Sequence, residues 1–273
     1  MADDRAIGVF DSGIGGLTVV RELMHRLPNE PIVYFGDTAR VPYGPKSPAT
    51  VTRYSEEAAS FLMSRDVKMV VVACNTATAH AAQRLADLLP VPVTGVIEPG
   101  ARAAVRATTS GRVGVIGTAG TIGSGAYDLA VRRRLPDARV YAQPCPLFVP
   151  IVEEGWYSHA AAHLIAEEYL RPLLEMDVDV LILGCTHYPL LRGLIADVMG
   201  PAVQLVDSAA ETAREVAEVL DRFDLQRTAA QPPAHSFAAS DAPLRFRDVG
   251  RTFVGEVLSV VEQVDVEGFG RAA

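Results

Sequence analysis

VVVACNTAT, residues 70–78, runs from a β-branched apolar strand into a lone thiol and then into a helix. Residues 69–73 have the unbroken apolar character of a strand buried on both faces of a parallel sheet, and the spacing after them predicts an amphipathic helix over residues 76–89. Cys74 therefore falls at the carboxyl end of a strand, where open α/β sheets form their ligand crevices. The pattern returns with a strand over residues 179–184, Cys185 after it, and a helix over residues 189–199. Cys74-Asn75-Thr76 and Cys185-Thr186-His187 thus occupy matching settings.

Either cysteine alone reads as a small apolar residue closing a core. Two placed alike, each followed by hydrogen-bonding residues where strand yields to helix, read as reactive. Backbone N–H groups and the positive end of a helix lower a thiol's pKa, which predicts a thiolate accessible near neutral pH. A pair of thiols facing one substrate from opposite sides supplies one base and one acid. Inversion of a stereocentre needs that arrangement, because one face loses a proton and the other gains one.

The 273 residues suffice for one large or two ordinary domains, and 49% hydrophobic with 21% charged residues is an ordinary globular composition. A formal charge of -8 argues against direct nucleic-acid binding as the main role, and the one basic run, Arg132-Arg133-Arg134, reads as a solvated helix end. MADDRAIGVF enters a strand without a leader pattern, and no apolar run approaches the roughly 20 residues of a membrane span, so no membrane partner is expected. Three cysteines, an odd count, predict reduced thiols in the cytoplasm. Lys46 and Lys68 are the only lysines. A pyridoxal phosphate Schiff base is thereby confined to a Pro-rich loop or a strand entrance, and no zinc or dinucleotide motif takes its place, so no cofactor is expected.

Around the cysteine units the chain alternates strand and helix, which predicts an α/β fold with parallel sheets. A strand over residues 6–10 meets Asp11-Ser12-Gly13-Ile14-Gly15-Gly16, a turn suited to present N–H groups to an anion. Asp11 either caps that turn or orients the Cys74 thiol. The loop from Asp37 to Pro48 is stiffened by prolines and contains Pro42-Tyr43-Gly44, which reads as a connector or as a pre-ordered substrate contact. Further strands are expected over residues 93–97, 112–117 and 140–142, with Glu98-Pro99-Gly100 as a domain boundary. Thr118 and Thr121 serve as helix caps or as carboxylate donors. Cys145, between prolines and with no helix start, reads as structural, and Glu153 ends an apolar stretch where a carboxylate implies a charged neighbour. His159, His163 and Glu167 stack at four-residue spacing and read as a solvated face rather than a metal site. Residues 236–264 read as one strand and closing helices. The two cysteine units predict two similar halves facing each other with the active site between them, residues 1–98 plus 207–273 carrying Cys74 and residues 99–206 carrying Cys185.

Five stretches, VFDSGIGGLTV (9–19), DTARVPYG (37–44), CNTAT (74–78), CPLFVPIVEEG (145–155) and GCTHYPLL (184–191), together resemble the glutamate racemases, of the cofactor-independent aspartate and glutamate racemase superfamily. The resemblance implies interconversion of L- and D-glutamate, with the D-isomer supplied for peptidoglycan. It implies that Cys74 works on D-glutamate and Cys185 on L-glutamate, that Asp11 assists Cys74, and that His187 assists Cys185 with Glu153 nearby. The substrate contacts it implies are Asp11, Ser12, Pro42, Tyr43, Gly44, Asn75, Thr76, Thr118, Thr121, Thr186 and His187. It also implies a homodimer. The competing readings are a superfamily isomerase acting on aspartate or another small carboxylate, and a two-lobed binding protein for small anions, which gives no reason for two thiols.

Overall fold

The computed structural model describes residues 3–266 and 269. Its first sheet-forming run is β1 (Ile7–Asp11), α1 (Leu17–Arg26), β2 (Ile32–Gly36), α2 (Pro48–Ser64), β3 (Met69–Val72), α3 (Asn75–Leu88) and β4 (Val93–Gly95). The helix α4 (Ile97–Ala107) leads into a second run: β5 (Arg112–Gly117), α5 (Ala119–Gly123), α6 (Ala126–Arg134), β6 (Arg139–Pro144), α7 (Phe148–Glu153), α8 (Ala160–Glu175), β7 (Val180–Gly184), α9 (Arg192–Met199) and β8 (Gln204–Asp207). The chain then returns through α10 (Ser208–Arg222) to β9 (Ser236–Ala239), α11 (Pro243–Val254) and β10 (Glu262–Gln263).

Two sheets result, in the orders β10-β9-β2-β1-β3-β4 and β6-β5-β7-β8, with every neighbouring pair parallel. The order β2-β1-β3-β4 in the first sheet matches β6-β5-β7-β8 in the second, so the chain is built from two like halves and β3 corresponds to β7. β1, β3 and β7 are buried along their whole length because helices cover both faces. The period of two then divides their side chains between two cores. Ile7, Val9, Met69 and Val71 pack toward Leu17, Leu23, Val216 and Leu220, while Phe10, Val70 and Val72 pack toward Phe61, Leu62 and Leu85.

The crossover helices α4 and α10 pack on each other, pinned by Arg102–Glu215 (3.1 Å) and by Arg106–Glu211. Two expectations of secondary structure change here, the strand over residues 93–97 and the helices closing the chain. β4 stops at Gly95, and Glu98-Pro99-Gly100 lies inside α4, where Pro99 sits in the first turn and its missing N–H has no helical partner to lose. Residues 148–153 form the helix α7, with Pro150 again in the first turn. The closing segment is α11 followed by a two-residue edge strand, β10, paired with β9, rather than helix throughout.

Candidate active site

Strand register brings the chemistry together. Phe10 pairs with Val72, so Asp11 and Ser12 leave β1 beside Cys74; Gly117 pairs with Gly184, so Thr118 leaves β5 beside Cys185. Ser12, Cys74, Asn75 and Thr76 from the first half line one closed cavity with Thr118, Cys185, Thr186 and His187 from the second. Pro42, Tyr43 and Gly44 complete its wall, together with Val41 and Val149, which carry no chemical signal in the sequence. The cavity volume is about 20 Å³, room for about one water.

Cys74 is 5% exposed and caps α3, its Sγ accepting from Ala77 N–H at 3.5 Å and lying 3.7 Å from Ser12 Oγ. Its pKa is pushed up to about 12, first by burial and then by the Asp11 charge; the Ala77 N–H and the Ser12 hydroxyl pull only partly the other way. This overturns the expectation of a thiolate accessible near neutral pH. Sequence reasoning weighed the helix end, and burial outweighs it. Asp11 is fully buried, accepts from Gly13 N–H at 2.9 Å and from Thr186 Oγ1 at 3.4 Å, and has its own pKa raised by burial against the lowering charge of His187.

The second thiol has the opposite kind of neighbour. His187 places Nδ1 3.9 Å from Cys185 Sγ and Nε2 3.3 Å from Glu153 Oε1. Burial alone would lower its pKa, but the hydrogen bonds to Cys185 and Glu153 prevail and raise it to about 10. Glu153 is held below the usual carboxylate range by the His187 hydrogen bond, against partial burial. It lies outside the thiol cavity and lines a neighbouring one of about 250 Å³ with Gly13, Ile14 and Phe246. His187 and Thr186 fit against the glycine-rich turn because Gly15 has no side chain: a Cβ there would stand 2.3 Å from Thr186 Oγ1.

Across the cleft, the hydroxyls of Thr76, Thr118 and Thr121 hydrogen-bond one another at 2.9–3.1 Å, and Gly120 N–H donates to Gly44 C=O at 2.8 Å. Thr118 is also the α5 cap, and it lines the cavity as well. Thr121 is buried behind the cavity wall rather than on it. Tyr43 donates its hydroxyl to Asp37 at 2.5 Å, and Arg40 and Ser240 bind the same carboxylate. Asp37, at the head of DTARVPYG, is a support that the sequence reading passed over.

Other candidates lie elsewhere. Cys145 is buried beneath Cys185 in the second core, its pKa raised by burial. Lys68 is fully buried against Glu30 at 2.5 Å and two backbone carbonyls. His159 caps α8 through Nδ1, and His163 and Glu167 meet at 3.8 Å on an exposed face. Arg132 pairs with Asp128, and Arg133 and Arg134 with Glu98.

Residues 13–216 match the family model described as Asp/Glu/Hydantoin racemase. The chain is 56% identical over 263 residues to a glutamate racemase of Geobacter metallireducens, covering 96% of this chain and 97% of that protein. It superposes on a glutamate racemase of Bacillus anthracis with a TM-score of 0.92 at 40% identity, covering 96% of this chain and 97% of the other. A glutamate racemase of Francisella tularensis, crystallised with D-glutamate, gives a TM-score of 0.91 at 41% identity over 97% and 99% of the two chains.

Proposed function

The chain belongs to the Asp/Glu/Hydantoin racemase family, and on that premise we propose that it interconverts L- and D-glutamate by proton transfer between Cys74 and Cys185, with no cofactor. The observation that carries this reading is the pair of buried thiols at matching strand ends of one cavity, one beside a carboxylate and the other beside an imidazolium.

From D-glutamate, the Cys74 thiolate takes the α-proton, the C–H electron pair passes into the α-carboxylate, and Cys185 S–H returns a proton to the opposite face. The reverse reaction exchanges the roles. Both proton carriers are side chains, so each turnover begins and ends with one thiol and one thiolate. Positioning in a closed site supplies roughly 7 to 11 kcal/mol of the barrier. Donors around the carboxylates, namely Ser12, Asn75, Thr76 and Thr186, meet the charge that develops there.

Substrate choice rests on the near full-length likeness to glutamate racemases, and the product suits peptidoglycan synthesis. The same reading places the enzyme in the cytoplasm, where three free cysteines remain reduced. It also takes the active form as a homodimer, which sedimentation would test, and residues 1–98 plus 207–273 and 99–206 as the two domains. No described helix is long and apolar enough to cross a membrane.

The test is NMR of α-carbon deuterium incorporation from L- and D-glutamate separately, without added cofactor, using the native protein, Cys74→Ser and Cys185→Ser. Racemisation with incorporation, abolished in both variants, is expected. Absence of exchange with glutamate would overturn the substrate assignment, and turnover of aspartate would move it there.

A further inference from the structure

Asn75, directly after Cys74, is 2% exposed and lines the thiol cavity, yet among the described residues its Nδ2 meets no acceptor. A buried amide nitrogen left without a partner costs stability, so the fold needs a reason to hold it there. Its other end is held firmly. Tyr127, from α6 of the opposite half, donates its hydroxyl to Asn75 Oδ1 at 2.7 Å. The phenol is itself fixed, since Ser208 at the start of α10 hydrogen-bonds it and the residue is only 3% exposed. Its ring lies on the backbone next to the other thiol: a Cβ built on Gly184, the residue before Cys185, would come within 3.0 Å of Tyr127 Cε2. Tyr127 thus touches the residue after one thiol and the residue before the other.

We propose that Tyr127 is a positioning residue for the reaction: by holding Asn75 Oδ1, it turns the Asn75 amide nitrogen into the cavity as a fixed donor for a substrate carboxylate. This rests on the racemase reading above. Burial holds the phenol well above its ordinary pKa, so it remains a donor throughout the working pH range. Without that bond the amide would be free to turn its carbonyl toward the cavity, presenting an acceptor to an anion. The ring's contact with Gly184 means that the donor is set in register with Cys185 as well as with Cys74, and only when the two halves are closed on each other.

Tyr127→Phe tests this, because it keeps the ring on Gly184 and removes only the hydroxyl. KM for both enantiomers is expected to rise between about threefold and tenfold with kcat within about twofold, the scale of one neutral hydrogen bond. In an Asn75→Ala background the same substitution is expected to add nothing, since the hydroxyl acts only through the amide. A structural role would instead lower kcat or thermal stability equally in both backgrounds. A second readout needs no turnover: the Asn75 side-chain amide signals, followed by NMR in the ligand-free protein, are expected to shift and broaden in Tyr127→Phe as the amide samples more than one orientation, and to stay unchanged if Tyr127 does not hold it. Unchanged KM, or an equal further rise in the Asn75→Ala background, would overturn the proposal. If the native protein does not turn over glutamate, the functional reading fails instead, and the amide signals alone decide whether Tyr127 fixes Asn75.

Discussion

The raised pKa of Cys74 yields a prediction that runs against the usual picture of a reactive cysteine. A thiol at its ordinary value of 9.0 is about one-tenth ionised at pH 8, whereas one near 12 is ionised about once in ten thousand molecules. In a Cys145→Ser, Cys185→Ser background, alkylation of Cys74 by iodoacetamide, followed by mass spectrometry, is therefore expected to climb with pH without levelling before about pH 10. The shape of that profile reports ionisation, while the limited access to a buried thiol sets only its height. Asp11→Asn removes the charge that is the second cause of the shift, so alkylation at pH 8 should quicken by about tenfold, one pKa step. On the proposed mechanism the same variant should lose turnover by roughly a hundredfold, because the carboxylate that would take the thiol proton is gone. Since enantiomers have equal free energy, kcat/KM must fall equally in the two directions. Any asymmetry is confined to kcat and KM taken separately, which must change by the same factor, and to primary isotope effects. A profile that levels below about pH 9, or an Asp11→Asn variant whose Cys74 reacts no faster, would refute the assignment of burial and Asp11 as the causes.

Two further substitutions probe the support of the site. Lys68→Met leaves Glu30 buried without its cation and should cost about 3 to 5 kcal/mol in urea unfolding with KM unchanged, while Lys68→Met with Glu30→Leu should recover most of that loss. Gly15→Ala puts a methyl 2.3 Å from Thr186 Oγ1 and 2.6 Å from His187 Nδ1, so kcat should fall more than tenfold, as read by circular dichroism of the racemising substrate, with the fold retained in the far ultraviolet.

The two strand-end thiols were legible because their signal is local: an apolar run, a cysteine, then small polar residues opening a helix. The matching strand orders of the two sheets follow from the same local signals repeated. What the sequence hid depends on distance or on burial. Pro99 and Gly100 are poor helix formers on paper. Within the fold, Pro99 occupies a turn that needs no N–H, and a Cβ on Gly100 would stand 3.2 Å from Ser208 Cβ and 3.4 Å from the Tyr127 ring. Tyr127 itself carries no sign of its role, since its partner Asn75 lies 52 residues away in the other half. The direction of the Cys74 shift was misread for the same reason. A helix end is visible in sequence, whereas the desolvation that overrides it exists only once the two halves have closed.

That desolvation makes the Cys74 thiolate rare, but it also makes it strong. The conjugate base of a thiol near pKa 12 stands about 4 kcal/mol closer to a carbon acid than an ordinary thiolate does. The advantage is realised only if the thiol proton has somewhere to go that does not reopen the site to water. On the proposed mechanism Asp11, its own pKa raised by burial, is that place, and a transfer from sulfur to carboxylate leaves the net charge of the cavity unchanged. The second thiol then follows in the correct sense. The Asp11 charge helps hold the proton on His187, and the His187 charge helps keep Asp11 ionised. Protonating Asp11 removes that support, and His187 releases its proton more readily toward Cys185 Sγ, 3.9 Å away. On the proposed mechanism, making a base at Cys74 thereby favours an acid at Cys185. The Thr186 hydroxyl donates to Asp11 at 3.4 Å from the residue before His187, and because Asp11 and His187 each shift the other, those two groups do not titrate independently.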